Sequence, residues 1–229
     1  MGVIMVFFFR SFRNCGHIRN IINMNNLYMT NFKTGDLLLF NYKPTGWAGW
    51  LDEMIYWGTH SNYSHTAIIL KDPTFIHPTL KGTFVWQSGE SSKPDPQDGK
   101  IKLGVQITPL EQLLDSYKGN GHCYYRSINC DNTHFTQQNL KMVHNIVYDK
   151  PYDVCPIDWV EAFLKKDPSP QKTSRFWCSA LVGYIYTKCG ILDSNTDWSI
   201  LSPNDLSVSG ENLKFINGAS LSNTETKLF

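Results

Sequence analysis

The sequence predicts an α+β fold, a small antiparallel sheet with helices following it. Two observations point there. The predicted order of elements is strand, helix, a group of short strands, then helices, a segregation that argues against a doubly wound parallel sheet. The clearest half-buried strand is an alternation in which Ile101, Leu103, Val105 and Ile107 interleave with Lys102, Gly104, Gln106 and Thr108. With 229 residues the chain is long enough to bury a substantial core, and one domain with a short extension accommodates it.

Residues 1–31 read as a poorly determined N-terminal extension. The apolar run from Gly2 to Phe9 is far too short to span a bilayer. Arg10, Arg13 and Arg19 follow that run, whereas a secretory signal carries its basic residues in front. Met24 and Met29 are alternative starts. The principal domain is expected over 32–208, with a polar, frayed tail at 209–229.

Within the domain, Gly35-Asp36-Leu37-Leu38-Leu39-Phe40 reads as a turn and a buried strand. Trp47, Trp50, Leu51, Met54 and Trp57 follow helical spacing up to Gly58. His65-Thr66-Ala67-Ile68-Ile69-Leu70 suits a strand with His65 at its leading edge, on the face of Ala67 and Ile69. Thr83-Phe84-Val85-Trp86-Gln87 is the next strand, and 88–100 is read as a loop containing Glu90. Pro109 opens a short helix that stops near Gly119, and His122 to Ile128 is a further strand. Thr133 is the expected cap of a helix running to about Tyr148, and Pro156 starts another. From Cys178 a helix runs to a glycine stop at Gly190, with Cys178, Leu181, Val182, Ile185 and Cys189 on one face.

Composition narrows the function classes. Apolar residues make up 41% and charged residues 18%, which is globular rather than disordered. A net charge of +1 gives no reason to expect a nucleic-acid partner. The cysteines Cys15, Cys123, Cys130, Cys155, Cys178 and Cys189 include no Cys-x-x-Cys pair, so neither a zinc site nor a redox pair is indicated. Scattered cysteines in a chain of this length suit a reducing compartment.

The chemistry rests on few residues. Cys178 sits at a helix start, where unpaired amides and the positive end of the dipole favour a thiolate. On the helix alone, core packing is the commoner fate of such a cysteine. A nucleophile also needs a base and a group to orient that base. His17 lies in the extension, and His77, His122, His134 and His144 have no helpful partner, which leaves His60 and His65 beside one strand. His65 is followed by small Ala67, which leaves room on that face for a helix terminus. Gly89-Glu90-Ser91-Ser92 does not match the serine-hydrolase elbow, and no phosphate-binding glycine loop occurs.

Several blocks together resemble a known family. Gly35-Asp36-Leu37-Leu38-Leu39-Phe40, Tyr63-Ser64-His65-Thr66-Ala67-Ile68 and Phe176-Trp177-Cys178-Ser179-Ala180-Leu181-Val182 are similar to motifs of the circularly permuted papain-fold cysteine peptidases. The match is greatest with the YiiX-like branch of the NlpC superfamily, which has relatives in large DNA viruses. Gly104-Val105-Gln106 with Pro109-Leu110, Lys150-Pro151-Tyr152-Asp153 and Ser202-Pro203-Asn204-Asp205-Leu206 continue the likeness, which spans roughly residues 32–206.

The resemblance implies a central antiparallel sheet with the cysteine helix packed across it, Cys178 as nucleophile and His65 as base. The family usually places a Glu, or another polar residue, at the end of the strand after the histidine strand. Here that position holds Gln87, with Glu90 three residues beyond, and either is a candidate third member. Tyr152 matches a tyrosine that the family places near the site.

The expected activity is a thiol hydrolase that cleaves an amide bond in a peptide, protein or acyl-amide substrate, with no metal or organic cofactor. Two alternatives stand beside it. One is an acyltransferase or lipid thioesterase, prompted by the aromatic helix at 47–57, with membrane contact open to the chain but unsupported by the sequence. The other is a catalytically inactive binding module, prompted by Gln87. The implied location is cytoplasmic or virion-associated.

Overall fold

Short apolar runs buried on both faces build the centre of this molecule's sheet. In the computed structural model, residues 31–42, 62–153, 173–210 and 213–229 are described. The predicted helices at 47–57 and from Pro156 lie outside the described residues, as do His60, Cys15, Cys155 and all but the last residue of the 1–31 extension. Lys33–Phe229 make one compact unit.

The described strands are β1 (Leu37–Tyr42), β2 (His65–Lys71), β3 (Thr83–Glu90), β4 (Leu103–Pro109), β5 (Gly121–Arg126), β6 (Ile128–Asn129), β7 (Ser220–Leu221) and β8 (Thr226–Lys227). Helix α1 is Leu110–Tyr117, α2 is Gln137–Val147 and α3 is Cys178–Lys188. Six strands form an antiparallel sheet of order β4-β3-β2-β1-β5-β8, and β6 pairs with β7 in a small second sheet. With helices on the sheet, the fold class is α+β.

Helix α3 packs on one face of the sheet. Ile68, Leu70, Trp86, Val105 and Ile107 join Leu181, Val182 and Ile185 in the main core there, with Leu140, Val143 and Val147 of α2. Helix α1 covers the other face, where Phe40, His65, Gln87 and Thr108 project.

Several elements differ from the sequence expectation, each for a local reason. Strand β3 continues through Ser88, Gly89 and Glu90 because β4 pairs with it as far as Glu90↔Leu103. Strand β4 is not the half-buried ribbon that its alternation suggests. Ile101 and Leu103 are exposed at 66% and 54%, whereas Gln106 and Thr108 are buried and hydrogen-bonded. The strand expected from His122 to Ile128 divides at Ser127, after which the Ile128 N–H donates to the buried Asp36 carboxylate at 3.0 Å. Asp36 also accepts from the Lys33 N–H and the Tyr125 hydroxyl, which accounts structurally for the Asp after Gly35. Helix α2 begins later than Thr133. Thr136 is its cap and accepts from the Asn139 N–H, because Asp131 holds 131–134 in a turn.

Helix α3 begins at Cys178, as its spacing predicts. It ends in a Schellman arrangement, with Gly190 at φ +70° and the Ile191 and Gly190 amides donating to Tyr186 and Thr187 carbonyls. The helix is not one-sided, however. Every residue from Cys178 to Tyr186 is buried, because β2, β3, α2 and the 3₁₀ turns Trp198–Ile200 and Pro203–Leu206 surround it. At Gly183 an added Cβ would lie 2.5 Å from Leu201 Cδ1 and 3.0 Å from Trp198 Cβ, so glycine sets this close approach.

The segment after 208 is built into the fold rather than frayed. Strand β8 extends the main sheet beside β5, and Leu221 and Leu228 are buried. Arg126 clamps the segment, its guanidinium donating to the Leu206 and Ser222 carbonyls.

Candidate active site

The site lies where two neighbouring strands part. Strands β2 and β3 pair from Lys71↔Thr83 only as far as Ile68↔Trp86. Beyond that point β2 stays with β1 as far as Phe40↔His65, and β3 stays with β4 as far as Glu90↔Leu103. The start of α3 is seated at this parting. The Ser88 hydroxyl of β3 donates to the Phe176 carbonyl at 2.6 Å, and Thr66 of β2 lies beside the Cys178 thiol.

Four further contacts fix the helix start. The Trp177 indole and the Ser179 hydroxyl both donate to the Leu201 carbonyl, at 3.0 and 2.6 Å. That carbonyl is presented by the 3₁₀ turn of Ser202-Pro203-Asn204-Asp205-Leu206, which a reciprocal Ser202–Asp205 capping box closes. Tyr152 forms an isolated parallel bridge with Phe176, and the Phe176 N–H donates to the Pro151 carbonyl. Tyr152 is therefore placed two residues ahead of the nucleophile candidate through its backbone, and its side chain packs against the main core.

His65 occupies the opposite side of β2 from Thr66, as adjacent strand residues must. Its Nε2 lies 2.8 Å from Gln87 Oε1, so the imidazole bridges the gap between β2 and β3. The Gln87 amide is in turn oriented by its Nε2, which donates to Thr108 Oγ1 at 2.9 Å. This chain assigns the Nε2–H tautomer to His65 and leaves the Nδ1 lone pair without a hydrogen bond. The ring is packed by Tyr117 of α1, stacked at 15° with centroids 6.2 Å apart, and by Phe40 at 5.6 Å. Gly89 gives it room, since a Cβ there would lie 3.3 Å from His65 Cε1. Gln106 holds the Gly89 carbonyl in place with a 2.7 Å hydrogen bond.

Both candidate reactive groups are neutral at rest. Burial pushes the His65 pKa down to about 4, against the opposing pull of the Gln87 hydrogen bond. Burial pushes the Cys178 thiol up, against the lowering effect of donors on Thr66 and Ser179. Among the described residues no hydrogen bond joins the Cys178 thiol to the His65 ring, and the two reach the parting from opposite sides of the sheet.

The sequence-derived residues thus divide. His65 and Gln87 are in direct contact, and Cys178 lies against the residue after His65. Glu90 ends β3 exposed and opposite Leu103, on the face away from Gln87, and is not brought to the imidazole. Thr66, Ser88, Gln106, Thr108 and Tyr117 are contributors that the sequence reading did not select. Their one available signal was the run of polar residues on the interior alternation of β3 and β4, at Gln87, Gln106 and Thr108. Among the described residues no cluster of three or more His, Cys, Asp or Glu side chains is arranged to hold a metal ion. No helix among them is long and apolar enough to cross a membrane.

Compared with known proteins, the chain matches no family model and no curated protein. Among solved structures it is similar to the crystal structure of metalloprotein yiiX from Escherichia coli O157:H7, with 19% sequence identity and a TM-score of 0.45. The match covers 69% of this chain and 66% of that chain, just under two thirds of the neighbour's length.

Proposed function

We propose that the chain is a thiol hydrolase in which Cys178 attacks the carbonyl of an amide, in a peptide, protein or acyl-amide, and His65 is the base. The observation that carries this reading is the seating of the Cys178 helix start at the parting of β2 and β3, beside a histidine whose tautomer is fixed with one nitrogen lone pair unengaged. In the first step the thiol proton passes to His65 Nδ1 as the sulfur–carbon bond forms. Unpaired amides at the start of α3 receive the developing oxyanion. The tetrahedral adduct collapses to a thioester, and the leaving amine takes the proton from Nδ1. Water then attacks the thioester, gives its proton to the same nitrogen and releases the acid, and the sulfur recovers the proton. Gln87 holds the ring throughout, although an amide stabilises the transient imidazolium less than a carboxylate would.

Activated acyl transfer tests this reading without knowledge of the substrate. Folded protein treated with p-nitrophenyl acetate is expected to carry its acyl group on Cys178, as read by peptide mass mapping. His65→Ala should slow that step by about 10²-fold or more. Acylation spread over other nucleophiles, or unchanged in His65→Ala, would count against the reading. An added primary amine that captures the acyl group would redirect it to acyl transfer. The competing reading is a binding module with an inert thiol, which Gln87 at the orienting position favours, and failure to acylate Cys178 at all would select it.

A further inference from the structure

We propose that Thr66 is a catalytic residue of this site, its hydroxyl and backbone N–H forming the donor pair that receives the Cys178 thiolate. The proposal rests on the reading of Cys178 as nucleophile and adds a residue that this reading does not require.

The backbone donor follows from the ladder. Ile69 donates its N–H to the Asp36 carbonyl at 2.8 Å, so odd-numbered residues of β2 turn their amides toward β1 and even-numbered ones toward β3. Pairing with β3 has ended by Thr66, so its N–H is turned toward the parting where Ser88 holds the start of the Cys178 helix. The side-chain donor follows from alternation, since Thr66 projects to the α3 face while His65 projects to the other.

The hydroxyl carries the distinctive evidence. Thr66 is fully buried, and its Oγ1 makes no hydrogen bond. A buried hydroxyl without a partner is destabilising, and folded proteins leave few of them. Its neighbour across the parting, the Ser88 hydroxyl, is already committed to the Phe176 carbonyl. A neutral thiol is a weak acceptor, whereas a thiolate is a strong one. The hydroxyl therefore lacks a partner only until the thiol is deprotonated, and an interaction gained in the activated state is the kind that accelerates a reaction. The thiol proton goes to His65 Nδ1, while the Thr66 proton stays on its own oxygen and is donated to the sulfur. Among titratable groups on the flanking elements, Glu90 is exposed at the end of β3, and Lys71 and Lys188 lie at the far ends of β2 and α3. His65 adjoins Thr66 on the opposite face of β2, and the Arg175–Asp153 ion pair lies just ahead of the α3 start.

The test is the pH–rate profile of Cys178 alkylation by iodoacetamide, followed by peptide mass mapping, with a thermal melt of each protein. The thiolate displaces iodide, so the profile reports the thiol's ionisation. Thr66→Val should move the profile about one unit to higher pH, making alkylation at pH 7 about tenfold slower. Its melting temperature should hold or rise, because an unpartnered hydroxyl has been removed. Thr66→Ser should restore the wild-type profile. If valine disturbs packing, Thr66→Ala supplies the same comparison without added bulk. Superimposed profiles in a wild type whose Cys178 reacts would overturn the role of Thr66 and leave the nucleophile standing. A wild-type Cys178 no more reactive than Cys189 would remove the nucleophile and the donor role together.

Discussion

At the scale of single residues, the imidazole of His65 is buried and held neutral by its surroundings. Its pKa of about 4 lies below the ordinary 6.5, so between those values the unfolded chain binds a proton that the folded chain refuses. Stability is therefore complete above pH 6.5 and falls as pH drops through that window, by about 3 kcal/mol when titration is complete. Thermal unfolding at pH 7 and pH 4.5 should show this loss in the wild type and a smaller one in His65→Gln; equal losses would contradict it. Gln87 is the second residue with a definite expectation. Gln87→Ala leaves the buried His65 Nε2–H without its acceptor and should cost about 1–3 kcal/mol in denaturant unfolding. It should also reduce Cys178 acylation, because the tautomer is no longer fixed.

At the scale of elements, the sequence showed clearly what periodicity and capping encode. The start of α3 at Cys178, its glycine stop at Gly190 and the cores of β1 and β2 are local signals, and each is observed where its residues place it. The burial of α3 on every side was not legible, because the turns that close over it come from 198–206 and carry no pattern that names their partner. The polar interior was equally hidden. Gln106 and Thr108 read as the solvent face of β4, since alternation cannot say which face a helix will cover. His65 and Gln87 could be nominated, but their contact is a cross-strand event that the local sequence does not record. Glu90 shows the same limit. Its charge made it a candidate, while strand parity turns it away from the ring.

Helix α3 also makes an element-scale prediction. Gly183→Ala would press on Leu201 and Trp198, and overpacking of this kind costs about 1–3 kcal/mol. Because Leu201 also accepts from Trp177 and Ser179, the substitution should lower both the melting temperature and Cys178 reactivity. Loss of stability with unchanged reactivity would show that the Leu201 turn does not position the thiol.

For the molecule as a whole, the C-terminal segment closes the sheet at the edge opposite β4. Glu225 accepts from the Tyr63 hydroxyl and the Val208 N–H, while Arg126 holds the Leu206 and Ser222 carbonyls. Arg126→Met would strand those carbonyls and should destabilise the fold by about 3 kcal/mol in denaturant unfolding, with earlier proteolysis after 208. A variant as stable as the wild type would mean that the segment is held by β8 and Leu228 alone. The same clamp lies near the turn that presents Leu201, so the closing strand and the nucleophile helix share one support.

The most direct test of the central claim compares the iodoacetamide reactivity of Cys178 at pH 7 in the wild type and in His65→Ala. Cys123 and Cys189, buried cysteines whose thiols burial likewise pushes up, serve as internal references. The site described here predicts that Cys178 reacts faster than both references and loses that advantage when His65 is removed. Equal reactivity of the three cysteines, or a Cys178 rate indifferent to His65, would contradict it.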